Sequence, residues 1–248
     1  MTARDRIGDK SLPELEAKVR QALSIAVAQP RCVAHDVAAN AVAHAQAVRA
    51  ADARVVVFPE MSLTGYELDA APIAADDERL APIAAACAET GTLALVGAPV
   101  PGPSIGVLAV DGAGAGVVYT KVHLHGDEAD RFVPGEPAVI GVDGWRLGLA
   151  ICRDTGVSEH AAKTAALGMD GYVAGVVHAD HEADVIGDRA RRAAAEHGVW
   201  VATAAFAGPT GGGFDHTSGR SGIWSAEGKL LAEASAAPDD LARAVFTP

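Results

Sequence analysis

Basic residues are scarce in this chain. Its 20 Lys and Arg face 32 Asp and Glu, for a formal net charge of −12. Nucleic-acid binding needs clustered Lys and Arg against phosphate, so an acidic chain without a basic stripe is not expected to bind nucleic acid. The acidity serves solubility instead. Cysteine is scarce too. Cys32, Cys87 and Cys152 cannot all pair within one chain, which excludes a disulfide framework and points to a reducing compartment. No apolar run approaches the roughly 18 residues that a membrane-spanning helix requires. The opening stretch MTARDRIGDKSLPELEAKVR lacks the apolar segment of a signal peptide. A soluble, cytoplasmic protein is the expectation. Aromatic residues supply only 4% of the chain although half of it is hydrophobic. Ala, Val, Leu and Gly dominate, a mixture that suits tightly packed helices and sheets rather than a disordered chain.

Residues 1–20 read as a polar extension, with a short helix at 12–22, and residues 21–248 as one folded domain. Ser24–Gln29 reads as a strand stopped by Pro30, Asp36–Ala51 as an Ala-rich helix, and the β-branched run Arg54–Phe58 as a buried strand. A helix is expected over Asp77–Glu89, ended by Gly91, then a strand at Leu93–Ala98. Ile105–Val110 and Gly116–Thr120 flank a glycine-rich turn and read as a hairpin. Residues 122–137 form a long loop, of the kind that often carries function. The alternation then repeats: strands at Val139–Val142 and Arg146–Ile151, a helix at Val157–Leu167, a strand at Gly171–Val177, a helix at Ala183–His197 and a strand at Val199–Phe206. A flexible loop at 208–219 precedes a hairpin through Ser221–Ser225 and Lys229–Ala234. Two sheets with helices outside them make a layered α/β sandwich.

Three reactive side chains lie just past the ends of buried strands. Glu60 follows RVVVFP, Lys121 follows VVYT and Cys152 follows RLGLAI. Sites in α/β sheets gather outside strand ends, so distant segments can meet there. A thiol must become a thiolate to attack, which a nearby base or cation favours. A carboxylate can take the thiol proton and return it to a leaving amine. An ammonium can stabilise an oxyanion, with the backbone N–H of Arg153 as a second donor.

The segments VVVFPEMSLTGYE, YTKVHLHGDEADRFVPGE and GLAICRDTGVSEHAAKTAALGMDGY resemble the three signature blocks of the nitrilase superfamily, the carbon–nitrogen hydrolases. The resemblance runs from Ser24 to about Ala234, with all three blocks in order. It implies a four-layer α-β-β-α sandwich and a Glu-Lys-Cys triad at Glu60, Lys121 and Cys152. EADRFVPG matches the family pattern that carries a second glutamate, which lands on Glu128. No metal or organic cofactor is implied, and face-to-face helix packing implies a homodimer or a higher homo-oligomer. The implied reaction splits a small amide or carbamoyl compound through a cysteine thioester. Cys-Arg-Asp after the third strand is more similar to the amidase branches than to true nitrilases. Arg153 and Tyr66 are candidate substrate contacts, although Arg153 is first expected to pair with Asp154 across the turn. The chain departs from many members in having GVSEH after Cys152-Arg153-Asp154 and AGVVHAD on the following strand. Those positions line the acyl pocket in the family, so the substrate is not inherited.

The remaining motifs read more plainly. Cys32 and Cys87 are small buried hydrophobes. His178 and His181 form an H-x-x-H in an expected solvated loop or pocket rim without a second ligand pair, so no metal site is assigned. His123 and His125 pack around Lys121. Arg189, Arg191 and Arg192 form a solvated or subunit-contact face, and Trp145, Trp200 and Trp224 belong to the core or an interface. The glycine runs lack the Lys-Ser/Thr of a phosphate loop. Nitrile hydrolysis, acyl transfer on the same triad, and a non-catalytic binding protein of the same fold are the alternatives.

Overall fold

The computed structural model describes residues 20–248. The expected extension thus lies outside the described residues except for Arg20. Of the helix expected at 12–22, Arg20 to Ala22 are described and are not helical.

The first half runs β1 (Leu23–Gln29), α1 (Val37–Ala51), β2 (Val55–Val57), α2 (Ala81–Thr90), β3 (Leu93–Val100), β4 (Ser104–Asp111) and β5 (Gly114–Thr120). The second half runs β6 (Val139–Val142), β7 (Trp145–Ile151), the single turn α3 (Arg153–Gly156), α4 (Ser158–Ala166), β8 (Gly171–Val176), α5 (Ala183–His197), β9 (Trp200–Ala205), β10 (Gly222–Trp224), β11 (Leu230–Glu233) and β12 (Asp240–Phe246). Local signals set the helix ends. Asp36 caps α1 by accepting from the Ala39 N–H. Gly91 and Gly198 close α2 and α5 in the left-handed conformation that glycine adopts without penalty.

Two six-stranded sheets result, ordered β12-β1-β2-β3-β4-β5 and β11-β10-β9-β8-β7-β6. Each has a parallel trio at its centre, β1-β2-β3 and β7-β8-β9, flanked by antiparallel strands. The repeated element order of the two halves is therefore structural. Side chains alternate across each strand, so every central strand feeds two cores. Leu23, Ile25, Val27, Val55 and Val57 meet Leu147, Leu149, Ile151, Val173 and Trp200 between the sheets. Ala26, Ala28 and Val56 face the opposite way, onto Ala41, Ala45 and Val48 of α1. Ala150, Tyr172, Ala174 and Val201 pack beneath Ala190, Ala193 and Ala194 of α5. Small alanine faces let helices lie close to the sheets, and the order of layers is α-β-β-α.

The strand β12 was not expected. Its seven residues pair antiparallel with β1 in unbroken register, Leu23 opposite Phe246 through Gln29 opposite Asp240. Phe246 reaches between the sheets and stacks on Trp200 at 4.3 Å. The loop at 208–219, expected to be flexible, is tied down by bridges between Ala179 and Thr217 and between Ala207 and Ser218, with Thr210 buried. No helix among the described residues is long and apolar enough to cross a membrane.

Candidate active site

Lys121 and Cys152 follow β5 and β7 directly and Glu60 stands three residues past β2, and the sandwich brings these strand ends together. Glu60 lies in the turn after Pro59. Two glycines, one from each sheet, let that turn pass between them. A Cβ on Gly97 of β3 would sit 2.3 Å from the Pro59 carbonyl oxygen, and one on Gly175 of β8 would sit 2.5 Å from the Phe58 carbonyl oxygen and 2.8 Å from the Glu60 nitrogen. Behind the turn, the Ser62 hydroxyl is 2.8 Å from Nε2 of the buried His44, and the Asn40 amide donates to the Leu63 carbonyl at 3.0 Å. The Glu60 backbone is thus fixed on several sides.

The Lys121 ammonium donates to Glu60 Oε1 and to Glu128 Oε1, each at 2.6 Å. All three side chains are buried, none more than 1% exposed. Glu128 stands in a single 3-10 turn, Gly126–Asp130. Its Oε1 also accepts from the Tyr66 hydroxyl at 2.6 Å, and its Oε2 accepts from the His125 N–H at 2.7 Å. Both oxygens of Glu128 are thereby engaged. Glu60 differs, because its Oε2 is buried without a hydrogen-bond partner. A buried carboxylate oxygen left open is costly, and such exceptions gather where chemistry needs a free acceptor.

Burial pushes the Glu60 carboxyl up to about 7, against the opposing pull of the Lys121 charge. Burial alone would lower the Lys121 ammonium, but the charges of Glu60, Cys152 and Glu128 outweigh it and the net shift is upward. Lys121 therefore stays charged. Burial, reinforced by the Glu60 charge, pushes the Cys152 thiol up to about 12, with Lys121 opposing. At neutral pH the resting sulfur keeps its proton, and its attack needs a base.

Cys152 sits at φ 41° and ψ −97°, a strained backbone for a residue with a side chain. Hydrogen bonds hold it there. Its N–H donates to the Gly175 carbonyl at 3.0 Å, and its own carbonyl accepts from the Thr155 N–H at 3.0 Å and the Thr155 hydroxyl at 2.7 Å. Its Sγ lies 3.4 Å from the Val177 carbonyl. Asp154 completes the elbow. One oxygen accepts from the Tyr119 hydroxyl at 2.6 Å and the Ile151 N–H at 3.0 Å; the other takes the His123 N–H at 2.8 Å and meets its ring at 3.0 Å. Tyr119 links onward to His160, and His160 to Tyr172. The expected Arg153–Asp154 pair is not formed, because Asp154 is fully buried and spent on these other donors.

A cavity of about 200 Å³ opens at this point. It is lined by Lys121, Glu128 and Cys152, by both candidate substrate contacts, Tyr66 and Arg153, and by His125, Val177, His178, Glu182, Arg189 and Phe214. A wider basin of about 750 Å³ lies outside, sharing Tyr66, His125 and Phe214 with it and carrying Glu67, Asp69, Asp127 and Asp130 on its walls. Three expectations change here. His178 is buried at the cavity rather than solvated; burial and the Arg189 charge push its imidazole down. His181 is exposed, so the two histidines do not converge. Of the arginines read as a solvated face, Arg191 is exposed, whereas Arg192 donates inward to the Thr155 carbonyl at 2.6 Å and Arg189 reaches the cavity. His123 and His125 hold Asp154 and Glu128 rather than Lys121 itself. Asp154, Arg189 and Gly175 were missed as site residues, while the segment from His178 borders the cavity as expected. Only Gly175 gave a signal, since an isolated glycine inside a strand marks a close backbone approach.

The model of one protein family, described as carbon-nitrogen hydrolase, matches residues 24–245. The hydrolase in the pqqF 5′ region of Pseudomonas protegens is 34% identical over 181 residues, which are 66% of this chain and 62% of that protein. The match thus spans less than two thirds of that relative's length. Among solved structures, an amidase from Nesterenkonia sp. is 26% identical, with a TM-score of 0.81 over 92% of each chain. A mutant of that amidase, also 26% identical, with a TM-score of 0.80 over 91% of this chain and 93% of that one, shows the result of Michael addition of acrylamide at the active-site cysteine. A branch 10 member of the nitrilase superfamily from Saccharomyces cerevisiae is 21% identical, with a TM-score of 0.79 over 92% of this chain and 91% of that one.

Proposed function

Because the chain belongs to the carbon–nitrogen hydrolase family of the nitrilase superfamily, we propose that it hydrolyses a non-peptide carbon–nitrogen bond in a small amide or carbamoyl compound. Cys152 is the nucleophile, Glu60 the proton carrier and Lys121 the oxyanion donor, with Glu128 holding Lys121 in place. The observation that carries this reading is the buried Glu60-Lys121-Glu128 chain with its open carboxylate oxygen at Glu60. Nothing in folding calls for a lysine buried between two glutamates, since such a group costs desolvation on every member.

In the first step Glu60 takes the Cys152 proton as sulfur attacks the carbonyl carbon. Charge grows on the carbonyl oxygen, where the Lys121 ammonium and the Arg153 N–H stabilise it. Glu60 then passes its proton to the leaving nitrogen, and ammonia or an amine departs from a thioester on Cys152. In the second step Glu60 accepts a proton from water as that water attacks the thioester, and the proton returns to sulfur with release of the acid. Glu60 suits both directions because burial lifts its carboxyl toward neutrality. The acyl group occupies the cavity of about 200 Å³, below the usual size of drug-like ligand sites, so the substrate is small. That the similar Nesterenkonia amidase reacts with acrylamide at an active-site cysteine supports a cysteine nucleophile here. The protein works as a cytoplasmic homodimer or larger homo-oligomer on this reading.

Ammonia release from a panel of small amides, carbamoyl compounds and nitriles, with Cys152→Ala beside the parent, tests it. Release by the parent alone is expected, strongest with amides. Turnover that survives in Cys152→Ala would remove the cysteine mechanism.

A further inference from the structure

We propose that the substrate carries a carboxylate in addition to its scissile amide, and that the Arg189 guanidinium receives it. This rests on the amide-cleaving reading above and names the class of amide. Arg189 projects from α5 into the cavity that Cys152 and Lys121 line. Its charge is among those that act on the Cys152 sulfur, so the two ends of a short molecule can reach both groups.

The guanidinium has a built seat but no counter-ion. It lies over Gly156, where a Cβ would meet Arg189 Cζ at 3.0 Å and Nη2 at 3.1 Å; the missing side chain makes room for the flat group. Its polar contacts are long, 3.4 Å to the Thr155 hydroxyl and 3.5 Å to His178 Nε2. No carboxylate pairs with it among the described residues, whereas Arg191, one half-turn on, pairs with Asp188 at 2.7 Å. The half-buried carboxylate of Glu182 at the same cavity is turned toward His178 Nδ1 at 3.5 Å and the Ala179 N–H at 3.1 Å. Arg153 lines the same cavity and forms no ion pair among the described residues either. A half-buried guanidinium with its donors open is matched by a carboxylate, which can take two parallel N–H bonds. In a protein of net charge −12, a local cationic end also offsets the general repulsion of an anionic substrate.

The test compares ammonia release from succinamate and glutaramate with release from butyramide and valeramide, in which the carboxylate is replaced by an alkyl end. The parent, Arg189→Gln, Arg189→Lys and Gly156→Ala are each assayed. The parent is expected to favour the carboxylated amides in kcat/KM by on the order of 10- to 100-fold, the worth of a charge-assisted contact. Arg189→Gln should collapse that ratio, mainly through KM. Arg189→Lys should retain part of it, and Gly156→Ala should lower it by displacing the guanidinium. A parent that cleaves both sets equally well overturns the carboxylate site and leaves amide hydrolysis standing. So does a ratio that Arg189→Gln leaves unchanged. A parent that cleaves neither set sinks amide hydrolysis, and the arginine is then judged without turnover. Alkylation of Cys152 by iodoacetate relative to iodoacetamide must fall in Arg189→Gln; an unchanged ratio overturns the anion site as well.

Discussion

Gly175 joins the two halves of the proposed catalytic machinery, which makes Gly175→Ala the most informative single change. The Gly175 carbonyl holds the Cys152 N–H at 3.0 Å. Its α-carbon lies against the turn that carries Glu60. A methyl group there would sit 2.5 Å from the Phe58 carbonyl oxygen, where ordinary contact begins at 3.4 Å. Backbone must therefore move by roughly 0.9 Å, and neither neighbour is a flexible side chain. Gly97 blocks retreat of the Glu60 turn on its far side, with Pro59 at 2.3 Å from its own notional Cβ. The displacement is thus forced into the spacing between base and nucleophile. A shift near 1 Å in a reacting geometry costs about 10²-fold in rate, and overpacking of this kind costs about 1–3 kcal/mol of stability. We expect Gly175→Ala to fold, to melt a few degrees lower, and to lose kcat/KM for amide hydrolysis by about two orders of magnitude. Gly141→Ala is the control, since nothing lies within 4 Å of a Cβ there, and it should match the parent. Parent-like activity in Gly175→Ala would refute the claim that this contact sets the alignment.

Two further outcomes follow from the buried charges. Protonated Glu60 cannot take the thiol proton, so kcat/KM should fall as pH drops through about 7, and a pH profile that stays flat across that range would exclude Glu60 as the base. Lys121→Met removes the cation whose charge opposes the effect of burial on Glu60, so the Glu60 carboxyl, already lifted to about 7 in the parent, rises further in the variant. Below about 7 both folded proteins hold the Glu60 proton; above it the parent releases that proton and the variant keeps it, so stability relative to the parent is lost as pH rises through about 7. Thermal melts across pH should show that widening gap, and a gap independent of pH would argue against the coupling.

The sequence was most legible where one residue's chemistry and its local pattern agreed. Apolar runs, β-branched at Arg54–Phe58, marked buried strands, and a reactive residue just past each marked the strand-end positions of Glu60, Lys121 and Cys152. Helix ends were readable because Asp36 and Gly91 act on their own neighbours in sequence. The last strand was not readable. Asp240–Phe246 mixes Asp240 and Arg243 with small apolar residues, as an edge strand does to avoid further pairing. Its partner β1 lies at the other end of the chain, and loop closure over that distance leaves no local trace.

The missed site residues share that physical cause. Asp154 and Arg153 are adjacent, and adjacency suggested a pair. The strained backbone at Cys152 instead turns Asp154 into the core, where Tyr119 from the first sheet and His160 from α4 supply its surroundings. Arg189 looked like one of three arginines on a polar helix face. Spacing on a helix decides only which residues share a face: Arg189 and Arg192, three apart, share one, and Arg191 lies on another. What lies against each face is set by how α5 docks on β9 and on the turn at Thr155, contacts made across more than one element of the chain. A catalytic residue carries its chemistry in its identity, so a motif can find it. A residue that selects the substrate is an ordinary arginine until the packing gives it a cavity and withholds a carboxylate.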